Sequence, residues 1–171
     1  TLHIKPKEAI SAKAIPSAIA HAIAIIFKNC GEGVWLVGGT AIAGYYAEHR
    51  RSDDIDLFVK NIPAFQSVLT ALKTLEKTGA HFSNTLHTPL YFHADAEYKK
   101  HRFTIDIVLD ENLFASGSAL RTKDGVEIAD VATLFAMKCA CLVSRCSEKD
   151  LFDLLWFFEK RGIPTADDII T

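Results

Sequence analysis

Leu36 to Val59 reads LVGGTAIAGYYAEHRRSDDIDLFV, and the fold turns on how this stretch is parsed. Val34 to Val37 is a short continuous apolar run between Gly33 and Gly38, the pattern of a buried strand. Gly38-Gly39 then gives a turn. Thr40 to Glu48 reads as a helix, with Ala41, Ile42, Tyr45 and Tyr46 as packing positions. Asp54 to Lys60 (DIDLFVK) opens with alternating charged and apolar residues, as a half-buried strand does. Asp54 and Asp56 lie two apart on it and share one face. Ile55 and Leu57 take the other, toward the core.

Two carboxylates held side by side repel each other unless a cation lies between them. Hard divalent cations such as Mg²⁺ take oxygen ligands of this kind, and a polyphosphate commonly supplies the remaining oxygens. Gly38, Gly39 and Thr40 join a buried strand to a helix start, where glycine permits close backbone approach and free N–H groups favour an anion. A phosphate-binding turn and a metal-binding carboxylate pair are thus expected one helix apart. Alone, a Gly-Gly turn or a D-x-D is only a turn or a strand end; the order and context give them meaning.

Outward from this stretch, Ile15 to Lys28 reads as an Ala-rich helix ending near Cys30-Gly31. Pro63 opens another, running to about Thr78, with Phe65, Val68, Leu69, Leu72 and Leu75 at helical spacing. Leu90–Ala94 and Phe103–Leu109 read as strands of a hairpin joined by the polar stretch Asp95 to Arg102. Asp130–Val143 and Ser147–Lys160 read as helices, the second capped by Ser147 and stopped by Gly162, with Thr165 capping a further one. The expected architecture is α+β: one domain over residues 1–171, with a mixed sheet flanked by helices over about 30–115 and C-terminal helices over about 128–171.

Three further positions stand out. Asp106 lies in Thr104-Ile105-Asp106-Ile107-Val108, as an active-site acid or a solvent-facing strand residue. Lys138 lies in a mostly apolar helix, where a cation needs a route to solvent or an anionic partner. Lys149 and Asp153, at i and i+4, read in isolation as a solvated surface ion pair. In the last helix Leu151, Leu154, Leu155 and Phe158 form one apolar stripe and Phe152 with Trp156 another. That surplus calls for a missing segment, an oligomer or burial in the core.

Composition narrows the class. The 171 residues are 49% hydrophobic and 23% charged, with a net charge of −2, as in ordinary globular proteins. With 9 Gly and 5 Pro, the chain is neither collagen-like nor low-complexity. No global basic surface advertises nucleic acid. No apolar run reaches the roughly 20 residues of a membrane span; Ala14–Phe27 is interrupted by Pro16, Ser17 and His21, and no signal peptide is read. The chain begins at Thr1, which suggests a processed or excised piece. Of the four cysteines, Cys139 and Cys141 point about 200° apart on a helix and cannot share a metal. Cys139 and Cys146 can lie on one apolar face. With Cys30, they read as buried thiols of a reducing, cytoplasmic compartment. The seven histidines are scattered singly and read as surface or turn residues.

Taken together, Gly38-Gly39-Thr40, Arg50 with Ser52, Asp54 through Phe58, Ile105–Ile107, Met137-Lys138 and Lys149 through Leu154 resemble the nucleotidyltransferase superfamily, in particular the AbiEii/AbiGii toxin group. The likeness runs from about Val34 to Phe158. It implies transfer of an NMP from an NTP to a hydroxyl acceptor with Mg²⁺ or Mn²⁺. By the same resemblance, Asp54, Asp56 and Asp106 hold metal, Asp106 being alternatively the base for the acceptor. Gly38, Gly39, Thr40 and Ser52 hold the NTP; Lys138 and Asp150 support catalysis. RNA, often tRNA, is the implied acceptor and an antitoxin the implied protein partner. The alternative is a non-catalytic nucleotide- or partner-binding module on the same fold. The chain is short for the group, whose members carry a larger helical C-terminal part.

Overall fold

The computed structural model describes residues 4–145 and 147–161. One seven-stranded mixed sheet organises the chain, in the order β3-β4-β5-β2-β1-β7-β6. The strands are β1 (Val34–Val37), β2 (Asp54–Val59), β3 (His81–His87), β4 (Tyr91–Tyr98), β5 (His101–Leu109), β6 (Ala119–Arg121) and β7 (Glu127–Ala129). The fully buried β1 pairs antiparallel with β2 and parallel with β7. β2 in turn runs parallel to β5, which forms a hairpin with β4. The helices are α1 (Ser17–Asn29), α2 (Gly38–Ala41), α3 (Ile62–Lys77), α4 (Glu111–Ser116), α5 (Val131–Ser144) and α6 (Glu148–Arg161).

Strand β2 alternates as its sequence reads. Ile55, Leu57 and Val59 are buried, whereas Asp54, Asp56 and Phe58 are only partly so. The buried face meets α1 and α3, whose Ile19, Ile23, Ile26, Phe65, Val68 and Leu75 join Ile105 and Ile107 of β5 in the core. Asn61 caps α3 by accepting from the Ala64 N–H at 3.0 Å, and Pro63 sits in its first turn. The opposite face carries the acids and is approached by α5 and α6.

Several expectations are corrected. Gly38-Gly39 is not a turn ahead of a helix, because α2 starts at Gly38 itself. Gly38 has φ +69°, so the bend and the helix start coincide. From Ile42 to Ala47 the helix widens into a π-helix and ends at Glu48, which is left-handed at φ 52°. Ala41, Ile42, Tyr45 and Tyr46 are all buried there. The β4–β5 hairpin extends through the polar stretch to a tight turn at Lys99-Lys100, both at positive φ, because polar His93, Asp95 and Glu97 on one face alternate with buried Ala94, Ala96 and Tyr98 on the other. The sequence reading assigned nothing to β3, α4, β6 and β7.

In α6 neither expected stripe is the buried one. Asp150, Asp153, Leu154 and Phe157 face inward, with Trp156 beside them, while Leu151, Phe152 and Leu155 are about half exposed. Two buried aspartates, rather than the leucines, orient this helix. Ser147 accepts from the Asp150 N–H at 3.3 Å, the expected cap. Cys30, Cys139 and Cys141 are free thiols. Cys146, Gly162 and Thr165 lie outside the described residues. Among the described residues no helix is long and apolar enough to cross a membrane.

Candidate active site

Register brings the acids together. Asp56 of β2 is the cross-strand partner of Asp106 on β5, and Asp106 that of His93 on β4. One step along, Asp54 pairs with Thr104 and Thr104 with Asp95. Two polar rows, His93–Asp106–Asp56 and Asp95–Thr104–Asp54, therefore cross the same face of three strands. The pleat places them there, since every second residue of a strand shares a face.

Each acid is held differently. Asp54 Oδ1 accepts from the Thr104 hydroxyl at 3.0 Å, and Oδ2 lies 3.1 Å from the Lys149 ammonium. Asp106 Oδ1 accepts from Tyr91 Oη at 2.5 Å and faces His93 Nδ1 at 3.0 Å. The bond to Asp106, followed by burial, pushes the Tyr91 phenol up to about 12. Among the described residues no side chain donates to Asp56. Burial, then the negative charges of Asp106 and Asp54, push its carboxyl up to about 6. A carboxylate pressed by two like charges and lacking a donor is a site that a cation relieves.

The glycines set the close contacts. A Cβ on Gly38 would lie 2.0 Å from Asp56 Oδ2, and one on Gly39 would lie 2.2 Å from Arg50 Nη2. Thr40 is fully buried, its hydroxyl donating to the Asp54 carbonyl and lying 3.0 Å from Ser52 Oγ. The Thr40 side chain thus braces β2, and only its backbone is left for an anion. Ser52 Oγ lines the cleft with Gly39.

Lys138 is buried, with Nζ 2.8 Å from Asp150 Oδ1 and 2.7 Å from Asp153 Oδ2. Burial opposes its charge, but the two aspartates outweigh it and raise its pKa. Burial likewise opposes charge on Asp150 and Asp153. Hydrogen bonds from Arg145, Lys138 and Ser147 on the first, and from His49, Arg50 and Lys138 on the second, hold both well below the usual carboxylate range. Arg50 grips Asp153 with Nε at 2.7 Å and Nη2 at 3.0 Å, a bidentate pair. His49 Nε2 donates to Asp153 Oδ1 at 2.7 Å, leaving its buried Nδ1 unpartnered.

The Lys149–Asp153 surface pair does not form. Asp153 points inward to three cations, and Lys149 reaches across to β2. Nor are the histidines mere surface residues: His49 and His93 both contact site carboxylates. Arg50, Arg145, Tyr91 and His93 are site residues to which sequence reasoning gave no role, and Lys149 was read only as a surface cation. Arg50 carried a signal in the R-x-S before D-I-D, and Lys149 one in the K-D-x-x-D of the last helix.

The cleft over Asp54, Asp56 and Asp106 measures about 340 Å³ and is also lined by Lys138, Arg145, Ser147 and Lys149. Beyond Asp56 and Asp106 it continues past Phe58, Met137 and Cys141 into a more apolar groove. Among the described residues no three His, Cys, Asp or Glu side chains converge as a ready-made metal cage. Mg²⁺ usually keeps several waters and takes one or two carboxylates with substrate phosphates, so Asp54, Asp56 and Asp106 would share an ion with water and nucleotide rather than enclose it. The donor set, all oxygen with one unrelieved carboxylate, fits such an ion.

The family model described as nucleotidyl transferase AbiEii toxin, type IV toxin–antitoxin system, matches residues 24–170. The chain belongs to this family. Among solved structures it is similar to JHP933 from Helicobacter pylori, with 21% identity, a TM-score of 0.55, and coverage of 83% of this chain and 63% of that one. It is also similar to MenT4, described as the nucleotidyltransferase toxin Rv2826c from Mycobacterium tuberculosis H37Rv. There the identity is 15%, the TM-score 0.56, and the coverage 83% of this chain and 57% of that one. The chain thus spans about three fifths of the length of these two neighbours. The α+β mixed sheet is the fold they share. No curated protein matches the chain.

Proposed function

We propose that this protein transfers an NMP group from an NTP to a hydroxyl acceptor, using a divalent cation, Mg²⁺ or Mn²⁺. The observation that carries this reading is the pair of polar rows across β4, β5 and β2, which sets Asp54, Asp56 and Asp106 on one face beneath a cation-lined cleft. Asp54, Asp56 and Asp106 would hold the cation, whose charge would offset that of the phosphates during in-line attack. Tyr91 and His93 fix one oxygen of Asp106 and leave the other for the cation.

Gly38, Gly39 and Ser52, with the Thr40 backbone, cradle the triphosphate on the side where Arg50 lies against Gly39. Lys138, locked between Asp150 and Asp153, supplies fixed positive charge next to the acids, and Asp150 holds both Lys138 and Arg145 in place. The acceptor hydroxyl oxygen bonds to the α-phosphorus as the bond to pyrophosphate breaks, and its proton passes to water. The family's description as a type IV toxin–antitoxin system supports an antitoxin as partner; RNA, in particular tRNA, is the acceptor implied by the sequence resemblance.

Calorimetry with each of the four NTPs, with and without Mg²⁺, tests this on the parent and on the Asp54→Ala/Asp56→Ala double variant. Mg²⁺-dependent binding to the parent and none to the folded variant is expected. Equal binding by both would overturn the site. The half-exposed Leu151, Phe152 and Leu155 favour a second reading, a partner-binding module that binds NTP without ever releasing pyrophosphate.

A further inference from the structure

Four cations line or border the cleft, and three are spoken for. Lys138 and Arg50 are held by buried Asp153, and Lys138 and Arg145 by buried Asp150. Lys149 differs. Its side chain is 65% exposed, and among the described residues its one ionic partner is Asp54, 95 residues away.

Its position also runs against local helix electrostatics. Lys149 lies in the first turn of α6, between Glu148 and Asp150, where the helix dipole favours anions and disfavours an ammonium. No carboxylate of that turn holds it. Asp150 is turned inward to Lys138 and Arg145, and Lys149 extends over β2 instead. A residue that breaks a local rule without a local gain is a candidate for function.

Asp54 has both oxygens occupied, Oδ1 by Thr104 and Oδ2 by Lys149. The Thr104 hydroxyl bond is compatible with a cation on the carboxylate; the ammonium, itself a cation, is not. Lysine carries a mobile point charge on a four-carbon stem and binds phosphate well. Ser52 and Gly39, at the expected triphosphate end, line the same cleft as Lys149.

We propose that Lys149 is a further substrate-binding residue: its ammonium caps Asp54 in the empty cleft and passes to the triphosphate when Asp54 turns its Oδ2 to a divalent cation. The inference rests on the metal- and NTP-binding reading above. It makes Lys149 a competitor of the metal when nucleotide is absent and a partner of the phosphates when it is present.

The two roles predict opposite shifts in one variant. Lys149→Gln and Lys149→Arg are compared with the parent by Mn²⁺ binding without nucleotide, followed by electron paramagnetic resonance. Tripolyphosphate binding at saturating Mg²⁺, followed by calorimetry, is the second measurement. For Lys149→Gln, Mn²⁺ binding should tighten severalfold and tripolyphosphate binding should weaken about tenfold, the scale of one charge-assisted hydrogen bond. Lys149→Arg should restore tripolyphosphate binding. If Lys149→Gln leaves either affinity unchanged, or moves both in one direction, the inference is overturned while the site reading stands. If the parent binds neither Mn²⁺ nor tripolyphosphate, the site reading itself fails and takes the inference with it. Lys149 is exposed, and its one ion pair is to a carboxylate at the cleft surface, so a loss of fold does not confuse the outcome.

Discussion

Asp56 shows how a single residue trades stability for chemistry. Burial and the neighbouring Asp106 and Asp54 push its carboxyl up to about 6, from an ordinary 3.8. A raised carboxyl pKa means that the folded state favours the protonated form. That contribution is whole below 3.8 and is lost as the pH rises through about 6. In metal-free buffer Asp56→Asn should therefore melt higher than the parent near pH 7, and the gain should vanish below about pH 4. Thermal melts across that range check it, and a gain independent of pH would contradict it. Gly38→Ala makes the complementary case. Its φ of +69° strains any side chain, and the new methyl collides with Asp56 Oδ2. A loss of at least about 1 kcal/mol in urea unfolding is expected, together with loss of Mg²⁺-dependent NTP binding.

At the scale of the element, α6 is fastened by charge. Asp153 is fully buried and receives Lys138, Arg50 and His49. Asp153→Ala would leave the largely buried Arg50 guanidinium without its carboxylate and Lys138 with Asp150 alone, and should cost about 3–5 kcal/mol, read from denaturant midpoints. A loss under about 1 kcal/mol would show the network to be solvated. Legibility also divides by element. The strand β1, the alternation of β2, and the helices α1, α3, α5 and α6 follow from apolar periodicity and cap residues, and all lie within a few residues of where their sequence puts them. β3 could not be read. HFSNTLH lies on the sheet edge, is mostly exposed, and carries a bulge at left-handed Asn84, so no alternation survives. β6 and β7, three residues each, are too short to show a period. The π-helical widening of Ile42–Ala47 leaves the apolar pattern unchanged and is invisible in it.

For the candidate site, the D-x-D pair and the glycines were legible because their spacing is local. Tyr91 and His93 were not, because only the β4–β5 register, and no motif, puts them on Asp106. Lys149 was misread for a related reason. Its i+4 neighbour Asp153 is drawn inward by residues a hundred positions away, which no helical wheel contains.

For the whole molecule, these attachments imply two kinds of cohesion. The sheet with α1 and α3 is held by apolar packing, whereas α6, besides burying Leu154, Trp156 and Phe157, is also held by two depressed carboxylates. Stability from Asp150 and Asp153 is present above their unfolded value of 3.8 and is lost as the pH falls below it toward their depressed folded values. Acid should thus loosen α6 before the sheet. The two tryptophans report separately: Trp156 lies on α6, and Trp35 lies on β1, stacked on Phe114. In Trp35→Phe and Trp156→Phe variants, the emission of Trp156 should change at a higher pH than that of Trp35 on acid titration. Coincident transitions would show one cooperative unit instead.

The parallel pairing of β2 with β5 has a consequence for how the protein is born. Asp54 and Asp56 leave the ribosome early, on a strand that has only β1 to pair with. Asp106 must then be synthesised past α3 and two further strands before it can sit beside Asp56. The aspartates that hold Lys138 arrive later still, on α6. A growing chain therefore has no complete cleft until α6 has been made. Under the proposed nucleotidyl transfer, a nascent chain that has β2 but lacks β5 and α6 has no assembled site with which to act.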